Sequence, residues 1–297
     1  MPGKDFLKLH LIVFAWGFTA ILGKLISIPA VEMVFYRTFF AAIIIYFLLR
    51  FKKIKIGVPG KDIWRLLGTG LIIGAHWIMF FGSIKVSNAS IALTGMATAS
   101  LWTSILEPIV LGRRILWYEV LLGTVVIIGL AIIFSLQLEN IIGVIMALLS
   151  AFLASSFSII NSRFTRKYDP YAITFYEMTG ATISIALFFP LYQLWFTGGT
   201  PLQLGLTGMD FLYLLILAGV CTVYAFSASV EIMRRVSAFS VNLAINMEPI
   251  YGILMAVALF PEDEKMTPQF YLGAVIILAA VFSYPLFQRL HKRRMAK

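Results

Sequence analysis

Charge is what this sequence has least of. Of 297 residues only 13% are Asp, Glu, Lys or Arg, against 60% hydrophobic, and the mean hydropathy is +0.92. A soluble domain carries about 25% charged residues. So few cannot cover a water-borne fold of this length, which excludes a soluble module and leaves an integral membrane protein. Cysteine and histidine are scarce too. One cysteine, Cys221, and three histidines exclude a disulfide framework and argue against a metal cage. Cys221 lies in an apolar run, where a thiol packs as a small hydrophobe. There is no HExxH and no GxSxG, so no enzyme and no cofactor is expected. The net charge of +10 is spread in short clusters between apolar runs, the pattern of membrane orientation signals rather than of a nucleic-acid stripe.

What is present is a series of long apolar runs. A spanning helix needs roughly 20 apolar residues. Ten runs qualify, near 8–27, 31–50, 65–85, 89–111, 116–135, 141–161, 170–195, 210–231, 237–260 and 269–288. The first is preceded by Lys4 and Lys8 but has no small-residue cleavage site and continues to Lys24, so it reads as a helix rather than a signal peptide. With the N-terminus inside, twenty Lys and Arg fall on the inner side and only Lys24, Lys85 and Lys265 on the outer, while Arg37 lies within the membrane. That bias puts both termini in the cytoplasm.

The runs repeat. Phe35-Tyr36-Arg37 matches Phe175-Tyr176-Glu177, and "KVSNAS" at 85–90 matches "RVSAFS" at 235–240, an offset of 150 that also joins Gly123 to Gly273. The expected fold is an all-α integral membrane protein of ten transmembrane helices in two five-helix halves, 1–138 and 139–297. Five is odd, so the second half enters from the opposite side, and the halves form the inverted repeat common in secondary transporters. Arg37 and Glu177 then sit at mirror positions, each roughly 10 Å deep from opposite faces at 1.5 Å per residue.

A charge in mid-membrane costs roughly 2.5–3.5 kcal/mol on insertion scales. The deep candidates are Arg37, Glu107, Glu177, Glu248 and the titratable His76. Glu248 is the deepest, followed by Pro249, which breaks the helical hydrogen-bond ladder where a cavity or covering protein tolerates it. Asn246 lies beside it, and Tyr251 shares its face at i+3. Glu248 reads as a cavity carboxylate for a cationic group or a proton, or as a structural partner of Arg37. Glu107 either snorkels to the inner interface or caps a bend. His76 and Phe80 share one face in a run that also holds Trp77, and that face suits a flat or apolar solute, unless His76 is a neutral, buried, hydrogen-bonded imidazole. Trp16 and its counterpart Phe157 are expected to line the middle of the protein. Gly70-xxx-Gly74 and Ala147-xxx-Ala151 mark close helix contacts. The fifth and tenth runs carry no deep charge and are expected at the periphery, against lipid or a second subunit in a homodimer.

Taken in order, "AWGFTAILGKL", "HWIMFFGSIKVSNASIAL" and "EPIYGILMAVALFPEDEKMTPQFYLGAVII" resemble the EamA-type group of the drug/metabolite transporter superfamily, and the resemblance covers essentially the whole chain. It implies an inner-membrane permease working by alternating access, with a central cavity built from the first four helices of each half. It implies a small-metabolite substrate, often an amino acid moved outward, and leaves proton coupling open. Arg113-Arg114 departs from the Gly-Glu pair of many relatives, whereas "FPEDE" keeps an acid in the second half.

Overall fold

The computed structural model describes residues 3–54, 56–112, 116–134, 140–235, 241, 244–245, 247–264 and 266–295, and every element among them is helical. In hydrocarbon no water can satisfy the backbone, so a spanning segment must close its own hydrogen bonds. The helices are α1 (Gly3–Leu25), α2 (Ala30–Phe51), α3 (Gly60–Val86), α4 (Ala89–Met96), α5 (Ala99–Leu111) and α6 (Trp117–Phe134). They continue as α7 (Ile141–Phe164), α8 (Pro170–Trp195), α9 (Gly208–Ala218), α10 (Ala225–Ile232), α11 (Glu248–Leu259) and α12 (Pro268–Met295), with a π-type turn, Gly219–Tyr224, joining α9 to α10. Seven stretches among the described residues are long and apolar enough to cross a membrane: α1 from Leu7, α2, α3, α4 with α5 to Val110, α7, α8, and α9 through α10. The described apolar parts of α11 and α12 are shorter.

The helix starts follow local chemistry. Asp169 accepts from the Tyr171 amide at 2.9 Å while Pro170 occupies the first turn, where its missing N–H costs nothing. Asn88 caps α4 through the Ile91 amide. Thr207 and Asp210 form a reciprocal capping box on α9.

Three of the apolar runs are interrupted, two of them read as continuous helices from the sequence and the ninth expected to break at Pro249. The fourth breaks at Ala97-Thr98, between α4 and α5. The eighth widens into the π-type turn, where the Thr222 hydroxyl donates to the Leu217 carbonyl five residues back. In the ninth, Glu248 opens α11 with Pro249 in its first turn, so the proline starts a helix rather than kinking one.

Small residues set the packing, as the sequence suggested. A Cβ on Gly70 would collide with the Glu177 carbonyl, and one on Gly180 with the Leu67 backbone, so α3 and α8 cross backbone to backbone. Ala147 occupies the space beside Gly95. Gly17 and Gly252 bring α1 against α11, a Cβ on Gly17 lying 3.1 Å from the Gly252 nitrogen. One hydrophobic core runs through α1–α5, α7–α10 and α11. α6 and α12 build a second around Tyr118, Leu122, Phe270 and Ile277, and neither contributes to the cavity described next. Leu121, Ile128, Leu272 and Val275 on them are exposed.

Candidate functional site

The interior holds a cavity in which about 70 Å³ is open to the centre of a water molecule. Aromatic side chains form much of its wall: Trp16 from α1, Trp77 and Phe80 from α3, Phe157 from α7 and Phe226 from α10. Arg37, His76, Asn161 and Glu248 bring polar chemistry into it.

Arg37 is 2% exposed. Its Nε donates to the Thr222 hydroxyl at 2.8 Å, and its guanidinium carbon lies 3.8 Å from the centre of the Trp77 ring. The π-type turn makes this arrangement, presenting the Thr222 hydroxyl to Arg37 and the Cys221 carbonyl to the Trp16 indole, which donates to it at 2.9 Å. Glu248 enters from the first turn of α11 and is 6% exposed. Arg37 and Glu248 share the cavity without forming an ion pair. A fixed cation and a carboxylate thus face one space with neither bound to the other.

The His76 Nδ1 lies 2.9 Å from the Ser150 carbonyl and 2.8 Å from its hydroxyl, which in turn donates to the His76 carbonyl. A carbonyl only accepts, so Nδ1 carries a hydrogen. In the neutral ring Nε2 then keeps the lone pair. The Phe157 ring packs edge-on to the imidazole at 5.4 Å. His76 is therefore both a hydrogen-bonded buried imidazole and a cavity wall.

Glu177 is fully buried at the α3–α8 crossing, outside the cavity wall. Its Oε2 accepts a long 3.4 Å hydrogen bond from the Asn161 amide, while Glu177 Oε1 and Asn161 Oδ1 are buried without a partner. Asn161 lines the cavity and so links Glu177 to it. Tyr176 turns away, its hydroxyl donating to the Ile56 carbonyl at 3.0 Å. Tyr251 faces α1, edge-on to Phe14 and 3.4 Å from His10 Nδ1. Glu107, on α5, is buried and does not line the cavity. Asn246 lies outside the described residues. The cavity thus gathers Trp16, Arg37, His76, Trp77, Phe80, Phe157 and Glu248, but not Tyr176, Glu177, Tyr251 or Glu107.

Polar ties close one end of the bundle. Glu264, fully buried, takes the Ala89 and Ser90 amides at 3.1 and 2.9 Å and Lys24 at 3.0 Å, placing a carboxylate on the N-terminus of α4. Asp210 takes the Ser27 amide and hydroxyl, both at 2.7 Å. Lys85 donates to the Ile26 carbonyl. At the other end Lys8 pairs with Glu231 at 2.7 Å, and Asp62 accepts from both Arg65 and Tyr168. That hydrogen bond to Asp62 is the main reason the Tyr168 hydroxyl titrates above the ordinary tyrosine range. The cavity wall extends from Phe80 toward Asn161, Val230 and Met233, at the Lys8–Glu231 end.

Comparison with known proteins bears on what such a cavity does. The profile described as the EamA-like transporter family matches residues 6–135 and 141–284. An uncharacterized transporter of Archaeoglobus fulgidus is 26% identical over 196 residues, spanning 63% of this chain and 68% of that one. One of Vibrio cholerae is 22% identical over 280 residues, spanning 89% and 88%. A solved structure titled only as the crystal structure of a protein aligns with 98% of this chain and 99% of its own at a TM-score of 0.68; at 15% identity it speaks to the fold alone.

Proposed function

The chain belongs to the EamA-like transporter family, a multi-pass membrane protein, and on that premise we propose that it is a secondary carrier exporting small zwitterionic metabolites, of the amino-acid class, across the cytoplasmic membrane. The observation that carries this reading is the unpaired placement of Arg37 and Glu248 in one aromatic-walled cavity. Arg37 offers a planar fork to a carboxylate; Glu248 offers a countercharge to an ammonium group or a place for a coupling proton. Trp16, Trp77 and Phe157 close around the apolar remainder.

The carrier works by alternating access between two inverted halves, 1–138 and 139–297. The family match divides at the same place, 6–135 and 141–284. The packing supports the symmetry: α1 lies on α11 as α7 lies on α4 and α5, and α3 packs on α7 and α8 as α9 and α10 pack on α1 and α2. Residues that the charge bias puts on one side meet partners on that side, Lys24 with Glu264 outside and Lys8 with Glu231 inside. With the outer end tied by Glu264, Asp210 and Lys85, the described state is closed outward.

Counterflow in proteoliposomes tests the function. Saturable exchange of a labelled amino acid against unlabelled substrate fits a carrier, whereas linear flux without exchange fits a channel and overturns the reading. Accessibility labelling tests the inversion. On a Cys221→Ser background, a cysteine at position 138 must react from outside the cell and one at position 166 from inside.

A further inference from the structure

A second concavity lies on the flank of the bundle, away from the cavity, where α3, the end of α5 and the end of α7 meet. It is far roomier, with about 500 Å³ open to water centres against about 70 Å³. Its lip is cationic, carrying Arg65, Arg163 and Lys167. Its floor is apolar, formed by Ile72 on α3, seven residues from Arg65, and Ile160 on α7, seven residues from Lys167 and one turn from Arg163. Seven residues of helix span about 10 Å, so the groove runs from the charged rim into the hydrocarbon zone.

Two features point to an occupant from outside the chain. The first is the unspent charge. Arg65 is held by Asp62 at 2.8 Å, and Lys167 lies within electrostatic reach of the same carboxylate, but among the described residues neither Arg163 nor Lys167 is in an ion pair. Arg163 gives one N–H to the Val110 carbonyl, and the rest of its guanidinium has no partner among the described residues. The second is Gly68. Glycine in a helix interior is unfavourable relative to alanine, and Gly70 in the same helix is explained by its approach to the Glu177 backbone. A Cβ on Gly68 would meet nothing within 4 Å, and the residue lies in the groove wall. Among the described residues no contact calls for a glycine there, and its small size keeps the groove open at that point.

We propose that this groove is a binding site for an anionic phospholipid, with the headgroup phosphate between Arg163 and Lys167 and an acyl chain passing over Gly68 between Ile72 and Ile160. Basic clefts between membrane helices hold acidic headgroups by charge, and the apolar floor takes what a soluble phosphate does not have. Trp64, 76% exposed on α3 just before the lip, sits where an interfacial anchor belongs.

The test is lipid retention by the full-length protein in detergent, read by native mass spectrometry after titration with phosphatidylglycerol, phosphatidylcholine or glycerol 3-phosphate. The wild type is expected to retain phosphatidylglycerol preferentially. Arg163→Gln with Lys167→Gln should weaken retention about thirtyfold, the effect of two surface cations. Gly68→Leu should weaken it at least about tenfold, which two displaced methylenes account for, while leaving the charges untouched. Because a Cβ there meets open space, this variant also separates lost binding from lost folding, and its melting temperature in lipid-free detergent should not fall. Equal retention of the two lipids by the wild type overturns the proposal. So does unchanged retention by Gly68→Leu, or glycerol 3-phosphate binding as tightly as the lipid, which would mark a site for free phosphate.

Discussion

Replacing Arg37 by Met separates a working charge from a structural one. The two side chains have similar volume, so the exchange removes charge without opening a large hole. Arg37 makes one hydrogen bond, to Thr222, and two cation–π contacts, a close one over Trp77 at 3.8 Å and a distant one over Phe81 at 5.6 Å. A hydrogen bond from a charged donor is worth about 1.5–3 kcal/mol, and the desolvated cation–π contacts, chiefly the close one over Trp77, about 2 kcal/mol. Against them stands the cost of a cation in mid-membrane, about 2.5–3.5 kcal/mol on insertion scales. Thr222 keeps its own donation to Leu217 when Arg37 is gone. The two sides cancel to within about 2 kcal/mol, so Arg37→Met should fold with near-native stability. Had Arg37 been half of a buried ion pair, its loss would cost about 3–5 kcal/mol. Transport should nonetheless fall at least about a hundredfold, since losing a bidentate hold on a carboxylate is worth about 3 kcal/mol. Equilibrium unfolding in mixed micelles gives the first number and counterflow in proteoliposomes the second. A loss of 3 kcal/mol or more in stability, or transport at the native rate, would refute the argument.

Further outcomes follow from the same contacts. Glu248→Gln should keep the fold but flatten the dependence of transport on pH; an unchanged pH profile at full activity would remove Glu248 from the mechanism. Gly70→Leu should abolish folded yield, because the Glu177 carbonyl already occupies the required space, and the check is the monodisperse fraction after detergent extraction. Asp210→Ala removes the α9 capping box and the hold on Ser27, and should cost about 2–4 kcal/mol in the same unfolding assay. Ser150→Ala removes the hydroxyl at His76 but keeps the backbone carbonyl, so a loss of no more than about 1–2 kcal/mol is expected.

Most of the cavity was legible because its chemistry is expensive in oil. Arg37, Glu248 and His76 stand out in any apolar run, and Trp16 and Phe157 were found as counterparts in the two halves. The offset of 150 from the third run carries further than it was taken: it leads from His76 to Phe226 and from Phe80 to Val230, all four on the cavity wall. Asn161 and Thr222 were missed because single polar residues of modest cost carry no periodic signal. Thr222 becomes a partner of Arg37 only through the π-type turn, a backbone rearrangement that the run "GVCTVY" does not announce. Tyr176 and Tyr251 had sequence neighbours in the site, yet helix rotation aims one at Ile56 and the other at His10. Glu177 was noticed for its charge, but its place at the α3–α8 crossing depends on which helix lies against Gly70.

The two aspartate ties have a consequence for biogenesis. Asp210 holds the α1–α2 link at Ser27, 183 residues upstream, and Asp62 holds the α7–α8 link at Tyr168, 106 residues downstream. Each clamp reaches across the middle of the polypeptide, so neither stretch emerging from the ribosome can finish its own links. The nascent N-terminal bundle must wait, inserted but unfastened, until α9 arrives. A chain truncated before residue 208 should therefore reach the membrane and be cleared by quality control.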